Sequence, residues 1–131
     1  MVDRVPTSTA NGPAALVILL VEDEVVVRWN IAEALREAGY AVVESESGEA
    51  ALALCESGMS IDVVFTDINL TGRVSGWDVA EHCRADQPNI PVLYTSGKTI
   101  EPDRQVPGSI FLSKPYQRGD VLIACERLLG K

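Results

Sequence analysis

A doubly wound α/β fold, five parallel strands with helices on both faces, is the architecture this chain predicts. Three observations point there. Short strand-forming runs alternate with helical stretches from about residue 15 onward, which implies parallel pairing through right-handed crossovers. The runs are nearly continuous in apolar residues rather than alternating, as befits strands buried on both faces. Finally, Glu22-Asp23, Asp67, Ser96 and Lys114 all fall at predicted strand C-termini, the edge at which open parallel sheets bind ligands.

The elements follow in order. Residues 1–13, rich in Pro, Thr, Ser, Asn and Gly, read as a flexible lead-in. Ala15 to Val21 is the first strand. The apolar run from Ala14 is too short to span a bilayer and meets Glu22-Asp23-Glu24 with no small-residue cleavage site, so it is no leader. Glu24 to Ala38 reads as a helix, with Val27, Ile31, Leu35 and Ala38 on one stripe and Gly39 as its stop. Ala41 to Glu44 is a short second strand. Ser47 can cap a helix through Ser57, with Gly58 beyond its end.

Ile61 to Thr66 is the third strand, and Leu70 to Val74 a turn-rich loop. Ser75-Gly76-Trp77-Asp78 has capping-box spacing, with Asp for the usual Glu, and opens a helix to about Asp86. Within it, His82 reads as an exposed helix residue and Trp77 as loop packing. Pro91 to Thr95 and Ile110 to Ser113 are the last two strands, and Asp120 to Leu129 the final helix. Between Ser96 and Ile110, Gly97, Pro102, Pro107 and Gly108 leave room for one or two helical turns. Four clear helices are expected, with the fourth position in the series short or vestigial.

Composition narrows the function. A chain of 131 residues with 47% apolar and 23% charged content suits one globular domain. Its net charge of −8 argues against a nucleic-acid duplex or an anionic membrane as direct partner. The three cysteines, Cys55, Cys83 and Cys125, sit singly in three predicted helices. Odd in number and without metal-like spacing, they read as small packing residues, with no disulfide framework or zinc site and a reducing cytoplasm as the setting.

If the first and third strands are neighbours, three carboxylates meet at one sheet edge. Two unit charges about 4 Å apart repel by roughly 4 kcal/mol at an effective dielectric near 20. Such a cluster must bind a cation, hold a proton or find donors, and a hard divalent ion such as Mg2+ suits all-oxygen ligands. Asp67 then offers a nucleophile, Glu22 and Asp23 metal ligands, Ser96 a hydroxyl and Lys114 a fixed positive charge. Phosphoryl transfer asks mainly for positioning and charge neutralisation, which these groups supply.

Val21-Glu22-Asp23-Glu24, Phe65-Thr66-Asp67, Thr95-Ser96-Gly97 and Lys114-Pro115-Tyr116, in this order and spacing, resemble the receiver domain of bacterial two-component response regulators. The resemblance covers nearly everything after residue 14. It implies a CheY-like, flavodoxin-like sheet of order 2-1-3-4-5 over residues 14–131, as a stand-alone receiver. By position, Asp67 matches the aspartate phosphorylated by a histidine kinase. Glu22, Asp23 and Asp67, with the backbone carbonyl of Asn69, match the ligands of Mg2+ or Mn2+. Ser96 matches the switch hydroxyl, with Thr95 as the rival position, and Lys114 matches the phosphate-pairing lysine. The Lys114–Pro115 bond is expected cis, against a background of about 5–6% for X-Pro bonds. Phe111 matches the aromatic switch position, and Asn69 and Lys98 the positions that tune dephosphorylation. Trp29 is either half-buried or a docking anchor, because the first helix of the family meets the kinase and aromatic residues are favoured hot spots.

The implied partners are a histidine kinase or histidine phosphotransfer protein and a downstream protein target, with no direct nucleic acid and no membrane. Departures from the family are a loop from Asp67 to Gly76 that looks one residue longer, Thr71-Gly72 where proline is usual, and the curtailed fourth helix. The chain ends at Lys131, so no output domain is expected to follow. Other readings of the same residues are a receiver cut from a hybrid histidine kinase and a docking module that is never phosphorylated. A third is an aspartyl-nucleophile phosphatase of the haloacid-dehalogenase type, which usually carries a second aspartate where Asn69 stands.

Overall fold

A computed structural model describes residues 15–98 and 104–130 of the chain. The elements are β1 (Val17–Val21), α1 (Val25–Glu37), β2 (Ala41–Ser45), α2 (Gly48–Glu56), β3 (Val63–Asp67), α3 (Gly76–Asp86), β4 (Val92–Ser96), β5 (Ile110–Ser113) and α4 (Arg118–Leu128). All strand pairs are parallel, in the order β2-β1-β3-β4-β5. The expected sheet is therefore the one observed.

Alternate strand residues feed two cores, as the period of two requires. Leu19, Val21, Val64, Val92 and Tyr94 pack with Ala51 of α2 and Trp77, Val79, Ala80 and Cys83 of α3. Ile18, Leu20, Val63, Phe65 and Leu93 pack with Ile31, Ala32 and Leu35 of α1 and Val121, Ala124 and Cys125 of α4. Both faces of the sheet are thus covered, which is why its strands carry so few polar residues. In register, Val21 lies opposite Thr66, Asp67 opposite Thr95 and Ser96 opposite Ser113, so the strand ends form one edge.

Local signals set the helix starts. Ser47 accepts from the Ala50 amide at 3.0 Å, and Ser75 with Asp78 completes a reciprocal capping box. The last helix begins at Arg118, two residues earlier than the sequence suggests. Asp120 is its third helical residue and reaches back 2.9 Å to the Gln117 amide. Ala38, expected on the buried stripe of α1, is instead its exposed C-cap. The expected helical turns between Ser96 and Ile110 lie partly on residues 99–103, outside the described residues; 104–109 carry no α-helix.

The cysteine expectation needs correction. Cys55 at the end of α2 and Cys83 in α3 are joined by a disulfide, with Cα atoms 6.2 Å apart, within the usual span for such a bridge. Counting cysteines along the chain misses this because successive crossovers place α2 and α3 side by side on one face. Cys125 alone is a free thiol among the described residues, and burial pushes its pKa up to about 11.

Trp77 is also more than loop packing. The capping box turns it inward, where it is 7% exposed and its ring centre lies 4.8 Å from that of Tyr94. The Tyr94 hydroxyl accepts from the Val106 amide at 3.2 Å. Arg104 reaches Asp78 at 3.3 Å and Glu81 at 2.8 Å, and Arg84 donates to the carbonyls of Ile90 and Pro107, each at 2.8 Å. His82 pairs with Glu56 across the α2–α3 contact at 3.3 Å.

Candidate functional site

The first and third strands deliver their acids to one point. Glu22 and Asp23 leave β1, and Asp67 is the last residue of β3. One carboxylate oxygen from each lies within 4.8 Å of the others. Glu22 and Asp67 are buried, at 2% and 6% exposure, which makes their mutual repulsion costly. Lys114, at the end of β5, answers it: its Nζ donates to Glu22 Oε1 at 3.1 Å and to Asp67 Oδ2 at 2.9 Å.

Backbone and loop donors take the remaining oxygens. The Asn69 amide donates to Asp67 Oδ1 at 3.2 Å, and the Glu24 amide to Glu22 Oε2 at 3.1 Å. Thr71 gives its amide and its hydroxyl to Asp23 Oδ2, at 2.9 and 2.5 Å. Three carboxylates against one ammonium still leave an excess of negative charge. All-oxygen donors at this spacing fit a hard divalent cation such as Mg2+.

The ionisation of the cluster reflects these contacts. Burial pushes the Glu22 carboxyl above its ordinary value; the Asp67 charge adds to this, while the Glu24 amide and Lys114 only partly offset it. Asp23 moves down instead: partial burial opposes ionisation, but the Thr71 hydroxyl and amide outweigh it. Burial also works against the Lys114 ammonium, yet Asp67 and Glu22 keep its pKa well above the ordinary range. Partial burial, with the Glu22 charge adding to it, pushes the Tyr116 hydroxyl up to about 12.

A pH dependence follows. With its pKa raised, Glu22 takes up a proton at a higher pH than an ordinary glutamate as acidity increases, and a protonated carboxyl is a poor ligand. Cation affinity is expected to fall on acidification, starting at a higher pH than an ordinary glutamate ligand would set. Calorimetric Mg2+ titrations at a series of decreasing pH values check this, with Glu22→Gln as the control; a pH dependence unchanged in that variant contradicts it.

Ser96, not Thr95, joins the cluster. Successive strand residues face opposite ways, and Ser96 Oγ accepts from Asn69 Nδ2 at 2.8 Å and from the Lys98 amide at 3.1 Å. Thr95 points into the other core, where among the described residues its buried hydroxyl finds no partner. Phe111 is half-buried beside Tyr94, its register partner on β4. The Lys114–Pro115 bond is cis, as expected.

Trp29 lies away from the acids. It is 59% exposed and shares its face of α1 with Val25 and Val26, at 66% and 70%. A groove of about 600 Å3, which Trp29 does not line, runs between α1, at Val27 and Ile31, and the Lys114–Arg118 segment. Two contributors were not legible in the sequence. Arg28 ties the exit of β1 to β2, donating to the Glu22 carbonyl at 2.8 Å and to Glu44 at 3.2 Å. Gly76 packs against the backbone of Asp67 and Ile68 so closely that a side chain there has no room.

The sequence profile of the response regulator receiver domain matches residues 18–126. The chain belongs to this receiver family. The receiver is 34% identical over 124 residues to a probable transcriptional regulatory protein of Picosynechococcus, an alignment covering 87% of this chain and 49% of the relative. It thus spans about half the length of that relative. Among solved structures, it resembles a response regulator receiver protein from Sinorhizobium medicae, with a TM-score of 0.86 and 36% identity over 88% of this chain and 95% of that one. It also resembles the receiver domain of a sensor histidine kinase from Pseudomonas aeruginosa, with a TM-score of 0.78 and 26% identity, covering 90% of this receiver and all of that domain. That domain was crystallised with a magnesium ion coordinated in its active-site cleft. Among the described residues, no helix of the receiver is long and apolar enough to cross a membrane.

Proposed function

We propose that residues 14–131 act as a phosphoacceptor, taking a phosphoryl group from a phosphohistidine onto Asp67. The observation that carries this reading is the position of the Asp67 carboxylate, flanked by the Lys114 ammonium at 2.9 Å and by the acid pair of β1. In the transfer, an Asp67 oxygen forms the new P–O bond as the P–N bond to the donor imidazole breaks. Lys114 pairs with a phosphoryl oxygen, and Ser96 exchanges its Asn69 contact for another. Asn69 and Lys98, flanking the same point, govern how readily water reaches the acyl phosphate. Phe111 responds to movement of the β4 end. Glu22, Asp23, Asp67 and the Asn69 carbonyl would hold Mg2+ or Mn2+, whose charge neutralises the phosphoryl oxygens.

On this reading the domain promotes only its own phosphorylation and its own dephosphorylation. Its donor is a histidine kinase or histidine phosphotransfer protein in the cytoplasm. The Cys55–Cys83 bridge removes the cysteine argument for that compartment, so the placement rests on the family alone. The signal leaves through protein contacts or a phosphorelay. The Pseudomonas neighbour, a receiver from a sensor histidine kinase, supports a second setting as a module of a hybrid kinase.

Acetyl phosphate with Mg2+ is expected to produce a hydroxylamine-labile acyl phosphate, visible on a phosphate-affinity gel. Sustained turnover of a generic phosphomonoester would instead favour a hydrolase. The exposed Val25, Val26 and Trp29 face supplies an apolar docking anchor for the donor. Trp29→Ala is expected to slow transfer from a cognate kinase about tenfold more than labelling by acetyl phosphate. Equal effects on both donors would remove Trp29 from the interface.

A further inference from the structure

The loop between β3 and α3 is pinned at two points, one on each side of Gly72. On one side, Thr71 places two donors on a single oxygen of Asp23. On the other, the Arg73 amide donates to Glu49 Oε2 of α2 at 3.0 Å. Gly72 has φ +100°, and a Cβ there would stand 2.9 Å from the Glu49 carboxylate. The left-handed backbone between the two anchors is one that glycine adopts readily and residues with a side chain rarely do.

Asp23 is the one acid of the three that is partly exposed. Glu22 and Asp67 are steered by Lys114 and by backbone amides, whereas Asp23 takes both the amide and the hydroxyl of Thr71 on one oxygen. Two donors from one residue fix both the position of the carboxylate and its rotation about the Cβ–Cγ bond. Residues that orient a ligand in this way commonly change metal affinity by about ten- to a hundredfold when removed.

We propose that Thr71 is a positioning residue for the cation site, aiming Asp23 at the point it shares with Glu22 and Asp67. The Glu49–Arg73 bond holds Thr71 in place, so the start of α2 becomes part of the support of the site. The inference rests on the reading of these acids as a Mg2+ site.

The test is Mg2+ binding with no phosphodonor present, by calorimetry, on folded full-length protein. Thr71→Val keeps the volume and the amide but loses the hydroxyl; it is expected to weaken Mg2+ about tenfold, and Thr71→Ser to restore most of that. Glu49→Ala is expected to weaken binding about threefold through the loop. Thr71 is exposed, so its variants are expected to keep the wild-type unfolding midpoint, which separates lost aim from lost fold. A Thr71→Val protein that binds Mg2+ as tightly as wild type, or more tightly, overturns the proposal. So does a Thr71→Ser protein as weak as Thr71→Val. If wild type itself binds no Mg2+, the reading of the acidic site fails and this inference with it.

Discussion

Asp67→Asn is expected to fold and to take no label from acetyl phosphate or from a cognate kinase. The amide keeps the shape of the side chain and can still accept from Lys114, but it is no nucleophile toward phosphorus. The fall in labelling should be on the order of a hundredfold or more, because no second carboxylate is placed to replace it. Glu22 is occupied by Lys114 and the Glu24 amide, and Asp23 by Thr71. Stability moves the other way. The substitution removes the buried negative charge that adds to the upward push on the Glu22 pKa, so the unfolding midpoint should match or exceed that of wild type. A phosphate-affinity gel and a thermal melt measure both effects. Undiminished labelling, traced by mass spectrometry to another residue, would move the acceptor elsewhere.

Gly76→Ala is expected to cost about 3 kcal/mol or more, the range of severe overpacking. Gly76 begins α3 and donates its amide to the Ile68 carbonyl at 2.9 Å. A Cβ at this position would collide with the Asp67 carbonyl and lie 2.7 Å from Ile68 Cα. Both obstacles are backbone, so neither can swing aside as a side chain would. Relief requires moving either the end of β3 or the start of α3, and the first displaces Asp67. Urea unfolding monitored by circular dichroism reads the loss; a variant with the wild-type midpoint would show that the strand end yields easily.

The sheet and the acid cluster were legible because they rest on local rules. Apolar runs that end on acids mark strand C-termini, and alternation with helices makes the strands parallel; together these place Glu22, Asp23 and Asp67 on one edge. Ser96 and Thr95 separate once β4 is in place, because neighbouring strand residues face opposite ways. What escaped depends on contacts between distant segments. Arg28 looks like any surface arginine on a helix, and only the folded chain shows it gripping the Glu22 carbonyl. Cys55 and Cys83 meet because two crossovers lie on the same face, which cysteine counting does not register. Gly76 resembles a tolerant residue in a capping box, whereas it is a steric requirement of the strand behind it. Thr71 stood out only as a departure from the family pattern, with no hint that its hydroxyl would find Asp23.

The stretch 104–109 is fastened by Arg104 to Asp78 and Glu81, by Arg84 at Pro107, and by Tyr94 at Val106. Each exposed ion pair is weak alone, but the attachments converge on α3 and on the strand beneath it. This part of the β4–β5 connection is therefore tied to α3 and β4. A molecule leaning on the outer face of α3 would tug at the far end of that connection, giving two surfaces distant in sequence one shared mechanical response.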